Sequence, residues 1–202
     1  MITALHARRL DAVTAVLDGC GARTVLDLGC GDGALLLRLA ADARLERIVG
    51  AEPHAPRLAD VRALLAELAP AERQKVTLVE AALTDPAARF VGFDAAVMVE
   101  TLEHLPPEWL GAVERAVFRD MAPETVVVTT PNADFNPLLG VPGHRRRHPA
   151  HRFEWGRARF ARWAEGVAQR NGYAAERRDV DASHPDYGGP TQLAVFTRRE
   201  GR

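Results

Sequence analysis

The segment Thr24-Val-Leu-Asp-Leu-Gly-Cys-Gly-Asp-Gly33 decides the fold. Its first five residues are a short, mostly apolar run that suits a buried strand. Glycines 29, 31 and 33 follow at two-residue spacing. Glycine admits positive φ and lets a ligand approach the main chain closely. A helix-period run, Ala34–Ala41, opens directly after the turn, so strand, turn and helix make the first part of a βαβ unit. The dinucleotide fingerprint is GxGxxG, with its third glycine packing helix on strand. Here the spacing is GxGxG, and Asp27 precedes the first glycine by two residues. A generic nucleotide-binding turn is the plainer alternative.

Outward from this segment, Val-, Leu- and Ile-rich runs alternate with helix-period stretches. A helix is expected over Ala4–Leu17, strands at Thr24–Leu28, Arg47–Ala51, Val76–Val79, Phe93–Val99 and Thr125–Thr130, and helices at Pro56–Leu68 and Glu108–Phe118. Pro131–His151 is rich in Pro, Gly, Asn and Arg and is expected as a long loop, a kind usually functional or disordered. A helix at Ala158–Asn171 follows, with Phe160, Trp163 and Val167 on one core-facing stripe. Strands Ala175–Val180 and Gln192–Thr197, separated by the turn-rich His184–Pro190, read as an antiparallel hairpin at the sheet edge. The fold class is α/β, doubly wound, with a mostly parallel seven-stranded, Rossmann-like sheet. Residues 1–202 read as one domain, with about 131–155 an inserted loop.

The chain has 202 residues, 47% hydrophobic and 26% charged, ordinary for a globular protein with a real core. No apolar stretch reaches the length of a membrane span, and the N-terminus lacks a secretory pattern. Cys20 and Cys30 have neither disulfide-framework nor zinc spacing, which favours reduced thiols and a cytoplasmic home. Net charge is −1, yet Arg145, Arg146, Arg147, Arg152, Arg157, Arg159 and Arg162 cluster between His144 and Trp163. Such a cluster points to an anionic ligand or to a solvated helix face.

Two acidic or basic sites carry chemistry. The second strand leads into Glu52, which places a carboxylate where it can take both hydroxyls of a ribose. After the fourth strand, Glu100, Glu103 and His104 share one face of any turn or helix, since residues three and four apart are neighbours. Two carboxylates and an imidazole suit Mg²⁺ or Mn²⁺ better than a structural zinc; a purely structural glutamate–histidine pair is the alternative.

The glycine turn with Asp27 and Glu52 resembles the first two motifs of class I S-adenosylmethionine-dependent methyltransferases. That resemblance implies that Asp27, Gly29, Gly31 and Gly33 hold the methionine moiety, Glu52 the ribose, and Leu83 and Thr84 the adenine. The glutamate–histidine cluster, Thr129-Thr-Pro-Asn132, Phe135-Asn136 and Arg147-His148-Pro-Ala-His151-Arg-Phe-Glu-Trp155, in this order, resemble the RNA 3′-terminal ribose 2′-O-methyltransferases. The likeness runs from about Leu5 to Phe196. It implies one divalent ion, Mn²⁺ or Mg²⁺, held by Glu100, Glu103, His104 and His151, which are also the catalytic set. It implies an RNA 3′ end as substrate, with Asn132 beside it and Arg145, Arg146, Arg147 and Arg152 on its phosphates; DNA is not expected. His151 is chosen over His148 by its spacing to Phe153-Glu154-Trp155, and His144 and His148 are expected in the exposed loop or on phosphates. Phe135 is a candidate for stacking on a base, whereas Phe153 and Trp155 are expected in the core. Two departures stand out: Ala150 replaces the family's usual Asp, and Gly156 its usual Thr. In bacterial relatives such a domain serves a repair kinase–phosphatase–ligase partner. A metal-independent small-molecule O- or N-methyltransferase is the runner-up, and a non-catalytic cofactor-binding subunit the third reading.

Overall fold

The computed structural model describes residues 3–85, 90–181 and 183–199. Seven strands form one sheet: β1 (Thr24–Leu28), β2 (Arg47–Glu52), β3 (Val76–Glu80), β4 (Ala95–Val99), β5 (Thr125–Pro131), β6 (Tyr173–Val180) and β7 (Thr191–Arg198), in the order β3-β2-β1-β4-β5-β7-β6. The first five run parallel, and β7 lies antiparallel between β5 and β6. Helices α1 (Ala4–Gly19), α2 (Ala34–Ala41) and α3 (Ala55–Ala66) precede β3, the short α4 (Pro70–Arg73) leads into it, and α5 (Leu110–Arg115) and α6 (Arg157–Asn171) follow.

The two-residue side-chain period of the strands builds the two cores. Val25, Val97 and Val127 face one side, where Leu10 and Val13 of α1, Leu35 and Leu36 of α2 and Leu58 and Val61 of α3 pack. Leu26, Ala96, Met98, Val126 and Val128 face the other, against Val113 of α5 and Phe160, Ala164 and Val167 of α6. The strand β1 pairs with β2 on one side and β4 on the other, so the order reverses there. At such a switch point the connections diverge to opposite faces and open a crevice beyond the carboxyl ends of the strands. Asp27, Glu52, Glu100 and Thr129 to Asn132 all lie at or just past those ends.

The fold class, the parallel sheet and the C-terminal hairpin are those expected, and β1 and α2 have the expected ends. Most other bounds shift by a residue or two and α4 is additional; three further differences have a clear local cause or form. The expected loop after β5 contains a 3-10 run, Ala133–Leu139, whose entry is capped by Asn132, its side chain accepting from the Asp134 amide. The expected helix at Glu108–Phe118 begins as a 3-10 turn (Pro107–Trp109), becomes α5, then widens to a π turn over Ala116–Met121. The fourth strand begins at Ala95 rather than Phe93, because Asp94 turns back to accept from the Arg23 and Thr24 amides. Phe153 and Trp155 are buried and stacked on each other, as expected of core residues. No helix among the described residues is long and apolar enough to cross a membrane.

Candidate active site

A cavity of about 910 Å³ opens at the switch point. One part of its wall is the turn after β1. Gly29 and Gly31 have φ of +82° and +55°, and a side chain at Gly29 would sit 2.6 Å from Thr101 Cγ2. Gly31 meets nothing nearer than 3.9 Å, so its face is open to a ligand. Gly33 does different work: it caps α2 in the left-handed region, and its Cβ would fall 2.7 Å from Val61 Cγ1. That glycine packs α2 on α3 and is not on the cavity wall. Glu52 is buried at the end of β2, accepting from the Gly31 and His54 amides, each at 3.2 Å. Leu83 lines the cavity; Thr84 is exposed and does not.

Asp27 is 2% exposed, and its Oδ2 has no hydrogen-bond partner. Burial, reinforced by Asp32 and Glu52, pushes its carboxyl up to about 7. A buried acceptor without a donor beside a ligand-sized cavity is an arrangement completed by a cationic or N–H-bearing ligand.

The opposite wall is built from the turn after β4. Glu100 has φ +51°, a left-handed conformation uncommon for a non-glycine residue and frequent where function constrains the chain. The end of β5 holds it there: its amide donates to Thr129 O at 3.1 Å, and Thr129 Oγ1 donates to its Oε1 at 3.0 Å. Arg9 of α1 reaches its Oε2 at 3.1 Å. Glu103 is fully buried; its Oε2 accepts from Thr130 Oγ1 at 3.1 Å and its Oε1 has no partner. Burial pushes both carboxyls up, Glu103 further because Glu100 stands beside it. The paired threonines of β5 are thus the clamp on the two glutamates.

The Arg152 amide donates to Glu103 O at 2.6 Å and fastens the loop to this turn. His104, His148 and His151 converge, offering one ring nitrogen each within 4.8 Å of one another. Among the described residues this is the only such group of three or more, and neither glutamate belongs to it. Hydrogen bonding separates the two loop histidines. His151 Nδ1 lies 2.5 Å from Glu154 Oε1, a carboxylate that only accepts, so Nδ1 carries the proton and Nε2 keeps a lone pair. His148 Nδ1 accepts from the Ala150 amide at 3.1 Å, so its neutral ring carries the proton on Nε2 and offers a donor. Burial lowers the pKa of His104 and His151, keeping both rings neutral.

Two of the expected substrate contacts are committed elsewhere. Asn132 has no exposed surface; its amide nitrogen donates to Tyr187 O and Gly189 O, and its oxygen caps the 3-10 run. Arg147 is turned inward, bonded to Asn136 Oδ1, Pro190 O and Asn132 O. Both are structural ties of the loop. Arg145, Arg146 and Arg152 are exposed, with Arg146 also touching His151 O at 3.0 Å. The sequence reading missed Arg9 and His6 of α1, which approach Glu100 and the cavity. Arg9 repeats with Val13 and Val16 on the buried stripe of α1, and that phase was the available signal.

Fold, switch-point cavity and glycine cradle define a class I methyltransferase domain, whose cofactor is S-adenosylmethionine. Residues 26–127 match the family described as "Methyltransferase domain". The solved methyltransferase domain of bacterial CtHen1 superposes with a TM-score of 0.88 at 36% identity, covering 97% of this chain and 100% of that one. The small RNA methyltransferase HEN1 structure superposes with a TM-score of 0.85 at 26% identity over 96% of this chain and 25% of its own. The small RNA 2′-O-methyltransferase of Gallus gallus is 34% identical over 96% of this chain and 54% of its own length. The chain belongs to the family of small RNA 2′-O-methyltransferases, whose methyltransferase domain it matches. It spans about half the length of the curated relatives it matches, 54% and 52% for the Gallus gallus and Mus musculus proteins.

Proposed function

We propose that the chain transfers a methyl group from S-adenosylmethionine to the 2′-hydroxyl of the 3′-terminal ribose of RNA, with one divalent ion, Mn²⁺ or Mg²⁺, at its centre. The observation that carries this reading is the shared cavity: Asp27, Gly31 and Glu52 line the same space as Glu100, His104 and His148. A small-molecule methyltransferase need not carry glutamate and histidines on its second wall, and a non-catalytic cofactor-binding subunit needs only the first.

The chemistry of the donors supports a divalent ion, although neither glutamate joins the group of three histidines. Glu103 Oε1 is a buried acceptor without a donor, and His151 Nε2 is a lone pair held ready by Glu154. Glu100, Glu103, His104 and His151 are the ligands we assign; hard oxygens with two imidazole nitrogens suit Mn²⁺ or Mg²⁺. His148, with its proton on Nε2, is placed as a donor to substrate oxygen instead. When bound, such an ion supplies Lewis acidity to a hydroxyl placed at it.

The chain's own residues do the rest. The cofactor provides the electrophile, so the protein has to align the attacking oxygen with the sulfonium methyl and exclude competing water. Asp27 takes the methionine ammonium, Glu52 the ribose hydroxyls, and Leu83 packs on the base. Thr129, Thr130 and Glu154 hold the glutamates and His151 in fixed orientations, as outer partners do at metal sites. Arg145, Arg146 and Arg152 take backbone phosphates, which position the strand without reading its sequence. On this reading residues 1–202 act as one domain with 131–155 as its substrate and metal loop, a repair kinase–phosphatase–ligase partner supplies the RNA end, and the free thiols of Cys20 and Cys30 suit the reducing cytoplasm.

The test is labelled methyl transfer to a short RNA, with and without chelator. RNA ending in a 2′,3′-diol is methylated only when metal is present, and the product resists periodate. RNA ending in a 3′-phosphate or 3′-deoxynucleotide is a poor substrate. Full transfer to RNA in chelator refutes the metal centre, and no transfer to RNA with or without metal promotes the small-molecule enzyme.

A further inference from the structure

We propose that His6, on the first turn of α1, donates its Nε2–H to the carboxylate of the cofactor's methionine end. The inference rests on the cofactor placement given above, with Asp27 at the methionine ammonium. That end of the ligand is a zwitterion, and Asp27 answers only its cationic half. The acids around the glycine turn and the wall beside it, Asp27, Asp32, Glu52 and Glu100, repel the other half. A carboxylate seated there requires a donor among them.

His6 is that donor by its hydrogen bonding. Its ring lines the cavity and lies within electrostatic reach of Asp32 in the glycine turn. Arg9 Nη1 approaches its Nδ1 at 3.4 Å, and a guanidinium has donors only, so Nδ1 is the accepting lone pair. The neutral ring therefore carries its proton on Nε2. That atom is buried without any hydrogen-bond partner. A buried N–H on a cavity wall, unpaired by the protein itself, is completed by an acceptor from the ligand. Arg9 does not line the cavity; its Nη2 is taken by Glu100 and Thr191, so it orients the imidazole rather than replacing it. The other wall cation from the helices, Arg57, stands beside Glu52 at 3.8 Å, on the ribose side.

The experiment compares two ligands by calorimetry: S-adenosylmethionine and decarboxylated S-adenosylmethionine, which keeps sulfonium and amine but lacks the carboxylate. A hydrogen bond to a charged acceptor is expected to make a difference of about tenfold or more. His6→Leu, which keeps bulk without a donor, weakens S-adenosylmethionine by that factor and the decarboxylated ligand by less than about threefold. His6→Gln, whose amide nitrogen reaches the same position as Nε2, recovers most of the loss. Equal weakening of both ligands by His6→Leu, or no weakening of either, overturns the assignment while leaving the cofactor site in place. Failure of the parent protein to bind S-adenosylmethionine overturns the site and the assignment together.

Discussion

Replacing Asp27 by Asn should make the cofactor-free protein more stable and nearly useless as a cofactor binder. The carboxyl is 2% exposed and sits at about 7 instead of its ordinary 3.8. The sign runs against folding. Below 3.8 the group is protonated in both states and costs nothing. Between 3.8 and about 7 the unfolded chain releases the proton while the folded one keeps it, so stability falls as pH rises. Above about 7 both states are ionised and the deficit levels off at about 4 kcal/mol, an upper figure. Asn removes the titration but buries an amide with its own unmet donors, a cost of about 1–3 kcal/mol. The net gain at pH 8 is therefore about 1–3 kcal/mol, or roughly 2–12 °C in Tm for a chain of this size. The advantage of the variant over the parent should be wider at pH 8 than at pH 5 by roughly 2–3 kcal/mol, because only the parent titrates. Thermal melts at the two pH values measure this double difference, and calorimetry with S-adenosylmethionine measures the loss of affinity. The parent's own affinity should fall as pH drops below about 7, since the ammonium needs the carboxylate ionised. A stability difference that is the same at pH 5 and pH 8, or parent-like affinity in Asp27→Asn, would refute the reasoning.

Further outcomes follow from the loop and the turn. Glu154→Gln removes the carboxylate that fixes the His151 tautomer and should weaken Mn²⁺ binding about 10–100-fold, read by electron paramagnetic resonance, whereas His148→Ala should leave it within about threefold; the reverse pattern would exchange the roles of the two histidines. Replacing Arg145, Arg146 and Arg152 together with Ala should reduce the slope of log affinity against log salt for single-stranded RNA by roughly 2. Arg147→Ala should leave that slope alone and destabilise the fold by about 2–4 kcal/mol, and an unchanged melting temperature would show that its inward bonds contribute little. Gly33→Val must push Val61 aside from a positive-φ position, so denaturant titration should show a loss of about 2–4 kcal/mol; an unshifted midpoint would contradict the packing role.

What was legible in the sequence is what depends on local period and turn chemistry. Val25 to Leu28 is too short and too apolar for anything but a buried strand, and the glycines after it mark its end. Glu100, Glu103 and His104 lie within five residues, so one turn carries all three, yet only His104 joins the group of histidines. The illegible parts depend on which neighbour a side chain finds across the fold. Arg145, Arg146 and Arg147 are identical letters in a row; only the positions of Asn136 and Pro190 turn the third inward. The protonated nitrogen of His148 follows from a contact to Ala150 that composition cannot express. The 3-10 run at Ala133–Leu139 has Pro137 inside it and is held by the Asn132 cap, so helical period gave no sign of it. Gly33 shows both sides of this: its turn was readable, its pressure on α3 was not.

Glu154 accepts from the Arg147 amide, from Asn136 Nδ2 and from His151 Nδ1. One carboxylate thus ties the loop together and sets which His151 nitrogen keeps its lone pair, so loop order and the readiness of that nitrogen go together. If the proposed ion binds there, its apparent affinity would be the intrinsic affinity scaled by the fraction of molecules in which this loop is ordered as described. Anything that steadies Asn136 or Arg147, an RNA strand laid over the loop included, would then tighten the proposed metal without touching a ligand. By reciprocity, the proposed metal would tighten RNA by the same factor.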